Sequence, residues 1–262
     1  MNHSLLYQTS TWIVALILLV AMVIFHWLGY ATRNIEIKKN KTKSNEGIGS
    51  IVGSLLGLVA LLLAFTFGMS STRYDNRRAV IIEEANTIGT AVLRADMYPD
   101  SIKKLLKADF KDYLEARITY FDAGVDTTKI NLALKKTVAI SSKIWNRVMV
   151  ESQKPENLGR SYHMIPALNA MIDIVTTGDA TKNATVPNSV IWLLFLIILF
   201  ASFTVGYSNI DKQKNHILAF AFSIIIVLTV FLILDLDKPR RGIINTNNSQ
   251  EKIVELRSLF KE

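Results

Sequence analysis

Four long apolar runs constrain this chain more than any other feature: Trp12 to Tyr30, Ile48 to Ser70, Val190 to Tyr207 and Ile217 to Leu236. Each is close to the roughly 20 residues that carry a helix across a bilayer core. Backbone polar groups in lipid must be satisfied within the segment, so the runs are read as four transmembrane helices. The first is longer than the apolar region of a signal peptide, and Met1 to Thr11 carries no Lys or Arg, so it is expected to be retained. Val190 to Phe203 has no charge and one polar residue, Ser202, which sets it apart from a buried soluble helix.

Basic residues near the helix ends do not orient the chain. Arg33, Lys38, Lys39, Lys41, Lys43, Lys212 and Lys214 make seven on one side. Arg73, Arg77, Arg78, Lys182, Lys238, Arg240, Arg241 and Lys252 make eight on the other. An even number of spans puts both termini and the central segment on one side.

The central segment, Ser71 to Asn188, balances 17 basic against 14 acidic residues and has helical periodicity throughout. The second span is predicted to continue as helix to Pro99, which cannot extend it. A helix capped by Asp100 or Ser101 follows, then one starting at Asp126 or Thr127. Lys154 to Tyr162 reads as a loop, and the next helix is placed near Pro166, a residue suited to a first turn. The expected organisation is a first membrane hairpin over 1–70, with spans at about 12–30 and 48–70, and a helical domain over 71–188. A second hairpin over 189–237, with spans at about 190–207 and 217–236, precedes a tail over 238–262 bearing a short amphipathic helix.

The second span is built unusually. Gly49, Gly53, Gly57, Ala60, Ala64, Gly68 and Ser71 recur at steps of three and four, so one helix face consists almost wholly of small residues. Such a face permits the close backbone approach through which helices associate in lipid. Two uses are open: packing within one subunit, or a symmetric assembly of copies around an axis. No Asp, Glu, Lys or Arg lies inside any span before Asp235, which disfavours an ion-coupled transporter. A passive pore narrowed by apolar side chains needs no buried charge.

Several chemistries find no support. The chain has no cysteine, and His3, His26, His163 and His216 are scattered without ligand spacing, so no metal site and no cofactor are expected. Neither a nucleophile elbow nor a phosphate loop is present, and no enzyme is expected. Near charge balance in the central segment argues against nucleic acid as a partner. Glu83 and Glu84 follow Arg77 and Arg78 at helical distances, which predicts ion pairs on a solvated face or a charged ring in a vestibule. Asp235 and Asp237 either close the fourth span or serve as membrane-edge carboxylates for a cation or a subunit contact.

Specific blocks carry a resemblance. Leu63-Ala64-Phe65-Thr66-Phe67, Thr72 through Arg78, Glu83-Glu84-Ala85-Asn86, Leu168-Asn169 with Ile172-Asp173, and Leu234 through Pro239 with Gly242 resemble the bacterial bestrophin-like domain family. They follow in family order over about Leu55 to Gly242, most of the chain. The resemblance implies an all-α, bestrophin-like membrane protein: four transmembrane helices, a helical extramembrane domain inserted between the second and third, and an oligomeric state, a pentamer. It further implies a bacterial inner membrane location, termini and central domain in the cytoplasm, and an axial pore lined by the second helix. By the same resemblance the pore constriction falls on Gly57, Leu61 and Phe65, where Gly57 departs from the apolar pattern. No counterpart of the calcium clasp of animal bestrophins is found. Three functions follow as expectations: an oligomeric channel for small inorganic anions, with Arg73, Arg77 and Arg78 setting the charge of the inner mouth; a non-conducting scaffold or sensor; or a passive solute transporter.

Overall fold

The computed structural model describes residues 9–39, 48–208, 215–238, 240 and 242–261, and among them every regular element is helical. They are α1 (Thr11–Lys39), α2 (Ile48–Arg94), α3 (Asp100–Asp122), α4 (Thr127–Ser152), α5 (Leu158–Asn183), α6 (Asn188–Ser208), α7 (Asn215–Asp237) and α8 (Asn247–Glu255), with short 3-10 turns between some of them. Four stretches are long and apolar enough to cross a membrane, in α1, the first part of α2, α6 and α7. The chain divides into two units, residues 1–73 with 185–238, and residues 74–184 with 239–262.

In the first unit α1, α6 and α7 share a core. Val14, Leu18 and Met22 of α1 meet Ile191, Leu194 and Ile198 of α6 and Ile226, Val230 and Leu234 of α7. Packing alone does not bring these helices together, since lipid tails are as apolar as leucine. The tightest approach is at two glycines that face each other's helices. A methyl group on Gly29 would lie 2.0 Å from the Phe203 carbonyl oxygen, and one on Gly206 would lie 2.0 Å from the His26 carbonyl oxygen. Only hydrogen fits at either place.

The first span was expected to end near Tyr30, but α1 runs on to Lys39. Its polar last turns have a partner. Arg33 is buried, lies 3.5 Å from Glu36 one turn on, and donates Nη1 to Tyr207 Oη of α6 at 3.4 Å. The Tyr207 hydroxyl in turn donates to Glu36.

The second unit is a helical bundle with an ordinary apolar core. Ile88 and Val92 of α2, Leu106, Phe110 and Tyr113 of α3, Ile144 and Val148 of α4, and Met164, Leu168 and Met171 of α5 pack together. Asp126 caps α4, accepting from the Thr128 and Lys129 amides at 3.0 and 3.1 Å. Two starts differ from expectation. Pro99, in extended geometry, precedes α3, and no side chain caps it, so neither Asp100 nor Ser101 has that role. Helix α5 begins at Leu158, two turns before the predicted start, with Pro166 inside it. Proline removes one donor there, but Ser161 and Met164 of those early turns are buried, which holds the helix through the missing bond. The tail folds against this unit, with Ile253 of α8 buried beside Ile81, Leu114 and Ala133.

The two glycine contacts set an expected outcome. Gly29→Ala or Gly206→Ala should each lower stability by about 1–3 kcal/mol through overpacking. Gly178→Ala, whose added methyl would meet Val80 at an ordinary 3.5 Å, should raise it by about 0.5–1 kcal/mol. Thermal unfolding in detergent checks both signs.

Candidate functional site

The membrane stretch of α2 has three faces. Val59, Thr66 and Ser70 are its buried residues, turned toward the rest of the first unit. Thr66 satisfies its hydroxyl within the helix, donating to the Leu62 carbonyl at 2.8 Å, so it enters an apolar contact without an orphaned donor. The second face is the small-residue one. Gly49, Gly53, Gly57, Ala60, Ala64 and Gly68 are all exposed, and a methyl group on any of these glycines would meet nothing within 4 Å among the described residues. The third face carries Ile51, Leu58, Leu61 and Phe65, with Leu61 53% and Phe65 64% exposed. Leu61 and Phe65 stand one turn apart, with Gly57 one turn before them.

The three arginines beyond this stretch have different surroundings. Arg73 is half-buried, and its Nε has no acceptor among the described residues. Arg77 is buried. Arg78 is exposed, 3.9 Å from Asp75, and its Cζ lies 5.7 Å from the centre of the Tyr74 ring. Glu84 does not join them on a solvated face as expected. It is buried and takes a two-pronged contact from Arg117 of α3, with Nη2 at 3.0 Å from Oε2 and Nε on Oε1. Burial explains the difference: an unpaired carboxylate there is costly, and the planar guanidinium matches both oxygens.

Asp235 and Asp237 are both buried at the end of α7. Asp237 Oδ2 accepts the Val186 amide at 2.9 Å, which joins the end of α7 to the segment leading into α6. Lys238 beside it donates to the Thr9 carbonyl.

Sequence reading missed one pair entirely. His26 of α1 and His216 of α7, 190 residues apart, lie 3.0 Å from each other through Nε2 and Nδ1. Trp27 stacks on the His216 ring at 5.4 Å, and Tyr30 meets it edge-on at 5.0 Å. No spacing in the sequence signals the contact. Among the described residues no group of three or more His, Asp or Glu side chains could hold a metal ion.

The chain matches the Bestrophin-like domain over residues 15–250 and belongs to that family. It is similar to the crystal structure of a point variant of a bacterial bestrophin homologue from Klebsiella pneumoniae, with a TM-score of 0.66 at 12% identity. That similarity covers 95% of this chain and 99% of that one, and at such low identity it is one of fold. No curated protein matches. Family, fold and four apolar helices together make this a bestrophin-like membrane protein.

The Glu84 contact generates a second expected outcome. Glu84→Gln leaves the Arg117 guanidinium buried without its counter-charge and should cost about 3–5 kcal/mol. Asp75→Asn, which touches only the exposed pair with Arg78, should change stability by less than about 0.5 kcal/mol. Chemical denaturation followed by helical circular dichroism separates the two.

Proposed function

We propose that this protein is an oligomeric channel of a bacterial inner membrane that passes small anions through an axial pore lined by α2. The observation that carries the reading is that two faces of α2 meet no partner among the described residues of their own chain. A lipid-exposed glycine face gains nothing from being small, whereas copies of α2 meeting around an axis would use it for close backbone approach. Five copies, the number the family resemblance implies, would then bring Leu61 and Phe65 into two stacked apolar rings about 6 Å apart along the helix. Gly57 would leave the level before them wide. Narrow apolar rings gate by expelling water. The absence of Asp, Glu, Lys and Arg in the spans before Asp235 fits passive conduction.

Arg73 lies two turns beyond Phe65, at the inner mouth in this reading. A ring of its guanidinium groups would concentrate anions, less so as salt rises. Arg78, nearby in sequence, is exposed, whereas Arg77 is buried. The termini and the helical unit are proposed to be cytoplasmic, following the family layout.

Assembly is tested first. Gly53→Leu and Gly57→Leu should lower the mass of the detergent-solubilised complex; wild-type mass in both variants rejects assembly through this face.

Conduction is tested with purified protein in vesicles. Leu61→Ala combined with Phe65→Ala should raise ion flux well above wild type, while Leu218→Ala in α7 should not. Arg73→Glu should shift the reversal potential toward cations at low ionic strength. Absence of flux from wild type and both pore variants, in vesicles shown to hold assembled protein, favours a scaffold, and flux of neutral solutes favours a passive transporter.

A further inference from the structure

The helical unit gathers cations around one aromatic side chain. Lys182, near the end of α5, donates Nζ to Tyr120 Oη at 2.7 Å, and lies 4.1 Å from the centre of that ring and 4.8 Å from that of Phe121. Arg117 and Arg240 each place Cζ 4.4 Å from the Tyr120 ring centre. Arg240 is fixed by donating to the carbonyl oxygens of Tyr120 and Gly124 at 3.1 and 2.8 Å. Arg77, Glu84, Gly178, Thr181 and Lys182 line a narrow crevice in the same unit. Among the described residues Lys182 thus feels Arg240 and Arg117 against one buried carboxylate, Glu84, which Arg117 already grips with two bonds. Asp179, the other acid that acts on Lys182, is exposed.

Two donors remain over. Arg117 Nη1 and Arg240 Nη2 are buried and have no acceptor among the described residues, and Arg117 is 2% exposed. Buried donors of this kind call for an acceptor, and a guanidinium favours an anionic one. The ammonium form of Lys182 is the group least suited to the place. Burial, then the charges of Arg240 and Arg117, push its pKa down to about 7, against the opposing pull of Glu84 and Asp179. A large share of the side chain is therefore uncharged amine near neutral pH, and an uncharged amine is a nucleophile.

We propose that Lys182 is a site of reversible carbamylation by carbon dioxide, with the carbamate held by the guanidinium groups of Arg117 and Arg240. The Nζ lone pair forms a bond to the carbon of CO2, one C=O π pair moves onto oxygen, and one N–H proton leaves to solvent. Amine and CO2 become carbamate and a proton, with no oxidation or reduction. The side-chain terminus passes from positive or zero to negative, with the charge on the carbamate oxygens, at a point where surrounding guanidiniums oppose a cation and favour an anion. The proposal is independent of the channel reading, because it concerns only side chains of the helical unit.

The test uses the full-length protein in detergent at pH 7.5, equilibrated with isotopically labelled CO2 and bicarbonate. Carbamates are trapped by O-alkylation with a trialkyloxonium reagent and located by peptide mass spectrometry. Lys182 should be trapped at least about tenfold more than the exposed Lys129. The signal should saturate with CO2 and vanish in Lys182→Arg, which keeps the charge but not the nucleophile. Arg240→Gln, checked for retained helical content, should reduce trapping severalfold. Trapping at Lys182 no greater than at Lys129 overturns the proposal. So does binding of inorganic anion at this cluster with no covalent label on wild type.

Discussion

Backbone proximity at glycine is the interaction on which the membrane unit depends. Three of its helices share an apolar core, yet that core is no more favourable than lipid until the helices come close enough for dense van der Waals contact. Gly29 and Gly206 supply this closeness reciprocally, each lying against backbone atoms of the other's helix. Once α1 and α6 are locked, the polar end of α1 gains its own partner in Tyr207, and Asp237 ties α7 to the segment before α6. The same residue type is used in the opposite way in α2, where four glycines face no described neighbour. A closed set of contacts on one side and an open face on the other is what a subunit of an assembly needs.

The helical unit is organised by a different force. Its core is apolar and close-packed, but the Glu84–Arg117 pair is buried within it. Buried ion pairs rarely add much net stability, because desolvation offsets attraction, while loss of one partner is costly. The pair therefore holds α2 and α3 in one register more than it tightens the bundle. It also engages Glu84, the buried carboxylate that acts on Lys182, while Lys182 and Arg240 lie against the Tyr120 ring and Arg240 donates to carbonyl oxygens. Aromatic faces attract cations only modestly. That imbalance is why an anion generated at Lys182 would find its binding groups already in place.

Family and fold place the chain among bestrophin-like membrane proteins, and the features on which the proposed function rests lie on α2. A span with no ionisable residue cannot relay protons or hold coupling ions by charge. What it offers is shape: small residues for approach and larger apolar ones a turn apart. Charge enters α2 only beyond the membrane stretch, and Arg73 is the first charged residue that the sequence supplies there.

Much of this was legible in the sequence, because the controlling physics is local. Apolar runs of membrane length must be helical to satisfy their own backbone, and Pro99 had to end the long second helix. The family blocks around Thr72 to Arg78 and Leu234 to Pro239 are contiguous and could be read directly. Partner choice could not. Spacing put Glu84 with arginines on its own helix, whereas burial gave it Arg117; it set Pro166 at a helix start, whereas packing of Ser161 and Met164 drew α5 two turns earlier. His26 with His216, Gly29 with Gly206, and Lys182 with Tyr120 each join helices far apart in the chain. The sequence alone thus determined the spans, the helical character and the family, since each follows from neighbours along the chain. Which small residues touch, which charges are buried and which helix face stays open were decided only by tertiary structure, because those depend on the distance between helices and on what water or lipid can reach.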